Sequence, residues 1–128
     1  MILRNNEVIG ILDWELSTLG HPIADFSYHC LSWRTQEAFW DEAKLKELGI
    51  PSEKEYMEMY CKYSGKDLSK NWEFYMAFNM FKIAGILQGI LGRVRDGTAA
   101  SKHAEERGNM VFPLSEAAWS TIEENFLK

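Results

Sequence analysis

The sequence predicts a mainly α-helical fold that opens with a short β-hairpin. Three observations carry this expectation. Two short apolar runs near the start flank Asn5-Asn6, apolar residues recur at helical spacing from Ile23 onward, and strong cap and stop residues divide the remainder into segments.

The hairpin comes first. Met1-Ile2-Leu3 is a short apolar run, Asn5-Asn6 tolerates the positive φ of a tight turn, and Val8 to Leu12 reads as a β-branched strand. Its consecutive apolar positions predict burial on both faces. The run ends in Asp13-Trp14-Glu15. Pro22 suits the first turn of a helix, where its missing N–H has no partner to lose. Ile23, Phe26, Cys30 and Trp33 then follow helical spacing, which predicts a largely buried helix to Trp33. Arg34 to Asp41 is less periodic, with Phe39 and Trp40 as packing residues.

Asp41 caps a short helix through Leu48, closed by Gly49. After Pro51, Ser52 and Glu55 fit a capping box, and that helix stops at Ser64-Gly65. Lys66 to Lys70 reads as a polar linker. A long helix is expected from Asn71 to about Asp96, with apolar residues around nearly its whole circumference, making it the central helix of the bundle. Gly85, Gly89 and Gly92 weaken it by up to roughly 1 kcal/mol each, a cost that close approach of a neighbouring helix would offset. A last helical region spans about Ala99 to Phe126, interrupted near Gly108 and Pro113.

Composition narrows the class. At 128 residues the chain suits one domain, and 46% hydrophobic with 13% aromatic residues is ample for a core. The net charge of −5, with Arg93, Arg95, Lys102 and Arg107 interrupted by Asp96, Glu105 and Glu106, speaks against nucleic acid as a partner. Cys30 and Cys61 form no CxxC pair. The most apolar stretch, Phe74 to Leu91, contains Asn79, Lys82 and Gln88. A central Lys costs about 2.5–3.5 kcal/mol on insertion, so a soluble, buried helix is expected rather than a membrane span. The first residues lack the pattern of a signal peptide.

Asp13 and Glu15 are the first candidates for chemistry. On a continuing strand they share a face, with Cα atoms roughly 6.5–7 Å apart. Carboxylates ending an apolar strand call for water, a cation or donors, and Mg2+ fits because it takes one or two carboxylates together with substrate phosphates. The alternative is that Asp13 caps a turn and Glu15 faces solvent. A glycosidase-type acid/base pair is disfavoured, since such carboxylates oppose each other across a cleft. Asp25 either complements the dipole of its helix or accepts backbone hydrogen bonds from a neighbouring loop. His21, His29 and His103 form no metal cluster, and the chain has no P-loop or G-x-S-x-G elbow.

The run from Val8 through Asp13-Trp14-Glu15 to Gly20-His21-Pro22-Ile23-Ala24-Asp25 resembles the D-W-E to G-x-P-x-x-D signature of the aminoglycoside phosphotransferase and choline kinase-like family. It is similar in particular to the kinase-like domain fused to acyl-CoA dehydrogenases, a resemblance extended by Asn71 to Tyr75, Ile86 to Gly89 and Arg93. The resemblance implies the helical C-terminal lobe of a protein kinase-like fold over residues 1–128. It implies ATP and Mg2+ as cofactors, with Asp13 as metal ligand, Asp25 bracing the catalytic loop, and Glu15 as a neighbour of the site.

The family's glycine-rich loop, lysine–glutamate pair and H-G-D-x-x-x-x-N loop have no counterpart in this sequence. The expectation is therefore a partial domain, its nucleotide-binding lobe and catalytic base absent, inactive alone and binding ATP and Mg2+ poorly. The implied acceptor is a small hydroxylated molecule, such as a hydroxyacyl-CoA. The competing reading is a non-catalytic helical binding or interaction module derived from that fold, using the face left by the missing lobe; as a fragment, the chain is expected to self-associate through its exposed apolar face. The implied location is intracellular, mitochondrial or peroxisomal.

Overall fold

The computed structural model describes residues 1–35, 42–68 and 70–128. Phe39, Trp40 and Asp41, read above as packing and cap residues, lie outside the described residues, as does Ser69 of the linker.

Strands β1 (Ile2–Arg4) and β2 (Glu7–Gly10) pair antiparallel. Asn5 and Asn6 take φ of 49° and 62°, the left-handed pair that a two-residue hairpin turn needs and that Asn tolerates. Leu3 faces Val8 but Ile2 faces Gly10, so Ile9 is the extra residue of a bulge. Two expectations are corrected here. The strand stops at Gly10 rather than Leu12, and its apolar residues are exposed, Ile11 and Leu12 included. Among the described residues the sheet has two strands, so each strand has one edge that no further strand pairs.

Six α-helices follow among the described residues: α1 (Pro22–Cys30), α2 (Glu42–Glu47), α3 (Glu53–Ser64), α4 (Trp72–Arg95), α5 (Ala104–Asn109) and α6 (Val111–Phe126). A 3-10 turn, Leu31–Trp33, extends α1 to the residue predicted. Gly49, Gly65 and Gly97 take φ of 70°, 66° and 68°, each just past the end of its helix. The capping box forms as read: Glu55 N–H donates to Ser52 Oγ, and Ser52 N–H donates to Glu55 at 2.8 Å. The Ser52 backbone and hydroxyl hold the Glu55 carboxyl below its usual range.

The core is built from matching stripes. Trp72, Met76, Met80 and Ala84 recur at every fourth position of α4, and they meet Ile23, Phe26 and Cys30 of α1 and Val111, Leu114 and Ala118 of α6. This stripe is narrower than expected. Phe74, Phe78 and Phe81 lie on the opposite face of α4 and are exposed, Phe81 by 75%. The described residues leave that face largely open, which corrects the expectation of burial all round. By length and composition α4 is also apolar enough to cross a bilayer, and 28% of its most apolar window is buried within the fold.

The glycines correct a second expectation. A Cβ added at Gly85, Gly89 or Gly92 would meet no atom within 4 Å, so no neighbour compensates for these residues. The close approach is at Gly108 of α5, where a Cβ would lie 2.5 Å from Leu91 Cδ2 and 3.3 Å from Leu91 N on α4. Pro113 interrupts nothing, because it is the third residue of α6, within the first turn, where proline is tolerated. The break between α5 and α6 falls at Met110. In the supposed polar linker, Leu68 is buried to 1% exposure, a burial that contributes about 1.5–3 kcal/mol.

Helix α3 has no fully buried residue and is held by rings and charge. Phe26 of α1 stacks on Tyr60 at 3.9 Å, and Trp33 stacks on Tyr56 at 5.4 Å. Arg34 then joins three segments. Its Nε and Nη2 donate to Glu53 at 2.8 and 2.6 Å, and Nη1 and Nη2 donate to Glu73. Trp72 Nε1 donates to the same Glu53 at 2.8 Å. Burial alone would lower the Arg34 pKa, but its hydrogen bonds to Glu53 and Glu73 outweigh it and raise it further.

Gly85→Ala should raise stability by up to about 1 kcal/mol through helix propensity, whereas Gly108→Ala should lower it by about 1–3 kcal/mol through overpacking against Leu91. Urea denaturation of the pair checks both signs. Arg34→Ala should cost about 2–3 kcal/mol, a range discounted for the 27% of its side-chain surface that water reaches. Arg34→Lys should recover only part of that, since an ammonium cannot serve two carboxylates with one planar fork.

Candidate functional site

The chain direction changes sharply at Asp13, which takes φ 71° and ψ 44°. A left-handed backbone is uncommon outside glycine, although Asp and Asn tolerate it better than most. Trp14 Nε1 donates to the Ile11 carbonyl at 2.7 Å, and Ser17 N–H donates to the Trp14 carbonyl at 2.9 Å, closing the 3-10 turn Trp14–Leu16. Asp13 and Glu15 are therefore not alternate residues of one strand, which corrects the shared-face expectation.

Helix α1 starts at a specific place for two reasons. His21 Nδ1 accepts from Ile23 N–H at 3.3 Å, and Pro22 occupies the first helical position. The His21 ring stacks on Tyr75 of α4 at 5.2 Å. One turn further, the buried Asn79 of α4 donates from Nδ2 to the Ala24 carbonyl and to Ser27 Oγ, both at 2.8 Å. These bonds fix the first turn of α1 against α4 and set the position of Asp25, which is exposed at its N-terminal end.

The result is a cleft of about 570 Å³ between the Asp13 turn, α1 and α4. Its polar lining is Asp13, Ser17, Thr18, His21, Asp25, Asn79 and Lys82. Trp14, Tyr28 and Phe78 supply ring surface. Lys82 Nζ stands 5.1 Å from the centre of the Tyr28 ring, a cation–π contact worth about 0.5–1 kcal/mol at an exposed site. A larger cleft of about 850 Å³ shares Pro22, Asp25 and Tyr28 with it, and reaches core side chains such as Phe26, Leu31 and Leu114.

Asp13 and Asp25, twelve positions apart in sequence, thus line one cleft, while Glu15 lines neither. Among the described residues, no three His, Cys, Asp or Glu side chains gather as a metal-binding set. The donor chemistry present is a carboxylate at an open cleft, which fits a hard cation held mainly by phosphate and water oxygens rather than a protein cage. Sequence reasoning missed Lys82 and Asn79 as site residues. Their signal was present as two polar interruptions of an apolar helix, read only as evidence against a membrane span.

Cys30 offers no competing nucleophile. Burial first, then the Glu53 charge, push its thiol up to about 12 against the opposing pull of Arg34, so it stays neutral in the core. Burial also raises the Tyr56 hydroxyl, with Cys30 adding to the shift.

Residues 1–60 match the sequence model of the Phosphotransferase enzyme family. The chain is 42% identical over 118 residues to mouse Acyl-CoA dehydrogenase family member 10, an alignment covering 88% of this chain and 11% of the relative. It is 36% identical over 123 residues to human Acyl-CoA dehydrogenase family member 11, covering 93% and 16%. Against Probable acyl-CoA dehydrogenase IBR3 of Arabidopsis thaliana it is 37% identical over 128 residues, covering 91% and 15%. The chain therefore spans between 11% and 16% of the length of these relatives. No solved structure matches it. Over residues 1–60 the chain thus carries the sequence pattern of the phosphotransferase enzyme family, and the helical fold with its N-terminal hairpin fits that family, as the resemblance of the D-W-E run implies.

Proposed function

We propose that this chain is the C-terminal helical part of an ATP- and Mg2+-dependent phosphotransferase acting on the hydroxyl of a small molecule. The observation that supports it best is the cleft in which the left-handed Asp13 turn meets the first turn of α1. In this reading Asp13 is a metal ligand and Asp25 braces the catalytic loop. Mg2+, when bound, neutralises charge on the nucleotide phosphates during transfer. The protein's part is to hold the Asp13 carboxylate at the cleft through the Trp14–Ile11 hydrogen bond, and to fix α1 through Asn79. The acyl-CoA dehydrogenase relatives favour a hydroxyacyl-CoA as acceptor. The same reading makes α4 a helix of a soluble, intracellular domain.

Phosphoryl transfer depends almost wholly on positioning and electrostatics, and the chain has no H-G-D-x-x-x-x-N sequence to supply the base. With Mg2+, ATP and a hydroxyacyl-CoA, the 128-residue chain should release no ADP above background; measurable release overturns its reading as a partial, inactive domain. Titrated with Mn2+, the Trp14 indole and Asp13 amide signals should broaden in the parent chain and not in Asp13→Asn. Equal broadening in both would remove Asp13 as a ligand.

One observation favours a second reading, a helical interaction module derived from this fold: the exposed Phe74, Phe78 and Phe81 face of α4. Sedimentation velocity should then show self-association that Phe81→Glu weakens. A monodisperse monomer at all concentrations would count against an apolar face left open by a missing lobe.

A further inference from the structure

We propose that Lys82 is the anion-recognising residue of the Asp13–Asp25 cleft, and that its ligand is a phosphate group carried by a nucleotide or by coenzyme A. The inference deepens the phosphotransferase reading and rests on it for the identity of these two sources.

Four observations carry it. Lys82 interrupts the apolar middle of a 24-residue helix, where a charged side chain contributes nothing to the core. Among the residues lining the cleft it is the one lysine or arginine, in a lining that also holds the carboxylates of Asp13 and Asp25. It forms no ion pair with either, unlike Arg34, Lys44, Arg95 and His103, each of which meets a carboxylate. Its ammonium instead stands over the Tyr28 ring, which orients the charge without neutralising it. A phosphate entering a cleft with two carboxylates meets repulsion, and Lys82 is the lysine of the lining that can oppose it. The Ser17 and Thr18 hydroxyls and the His21 ring border the same space and offer further hydrogen-bonding groups.

The test uses the 128-residue chain without divalent metal, titrated separately with inorganic tripolyphosphate and with coenzyme A, followed by NMR. Saturable shifts are expected at Lys82, Tyr28 and the Trp14 indole. Lys82→Gln should weaken binding about tenfold, and Lys82→Arg should retain it, since a guanidinium also takes phosphate. Unchanged circular dichroism and melting temperature show that the variants fold, as the exposed position of Lys82 predicts. Tighter tripolyphosphate than coenzyme A binding identifies a nucleotide source, and the reverse, with added shifts at Phe78, identifies coenzyme A. Absence of shifts in the parent chain, or equal affinity in Lys82→Gln, overturns the inference. Asp13→Asn separates the two ideas: loss of the Mn2+ effect with phosphate shifts intact is the joint expectation. A Mn2+ effect insensitive to Asp13→Asn overturns the Asp13 assignment alone.

Discussion

The fold depends on one guanidinium. Arg34 lies just beyond the 3-10 turn that ends α1, Glu53 begins α3 and Glu73 begins α4. Each carboxylate sits in a first helical turn, where the dipole favours it, but placed near each other the two repel. Arg34 removes that conflict by bonding both at once, and Trp72 shares the Glu53 carboxylate from the core side. Helix α3 contributes no fully buried residue, so this network and the Tyr56 and Tyr60 rings do for it what apolar burial does for α1, α4 and α6. The neighbouring Cys30 registers the same field, its thiol held neutral by burial and by the Glu53 charge.

Local chemistry was legible in the sequence. The Asn5-Asn6 turn, Pro22, the Ser52–Glu55 box and the glycines closing the helices each act within a few residues, so the chain alone specifies them. What the sequence hid was long range. Arg34 meets partners 19 and 39 positions away, and no periodicity links them. The three glycines of α4 looked like a packing groove and face open space, while Gly108, read as an interruption, is the residue that lets α5 approach Leu91. A glycine reports that a Cβ is absent, not which neighbour requires its absence. Apolar continuity misled in the same way: β2 and the Phe face of α4 are rich in large side chains that the described residues leave at least half exposed or nearly so.

The site shows a similar division. Asp13 and Asp25 could be named from the D-W-E and G-x-P-x-x-D run, but their common cleft needs α4 as its third wall. That wall is supplied by Asn79, which ties α1 to α4 through one buried and one part-buried hydrogen bond, and by Lys82 one turn further along. Both residues cost the helix apolar surface, and their return lies in the geometry of the cleft rather than in the core.

The hairpin's exposure has a thermodynamic consequence. Its strands lean on no buried stripe, so their order adds little to the bundle's stability and takes little from it. Asp13 hangs from this weakly coupled piece, while Asp25 and Lys82 belong to the bundle. An occupant that touches both sides stitches two unfolding units into one. Affinity in this cleft and cooperativity of the whole chain are then the same free energy, measured in two ways.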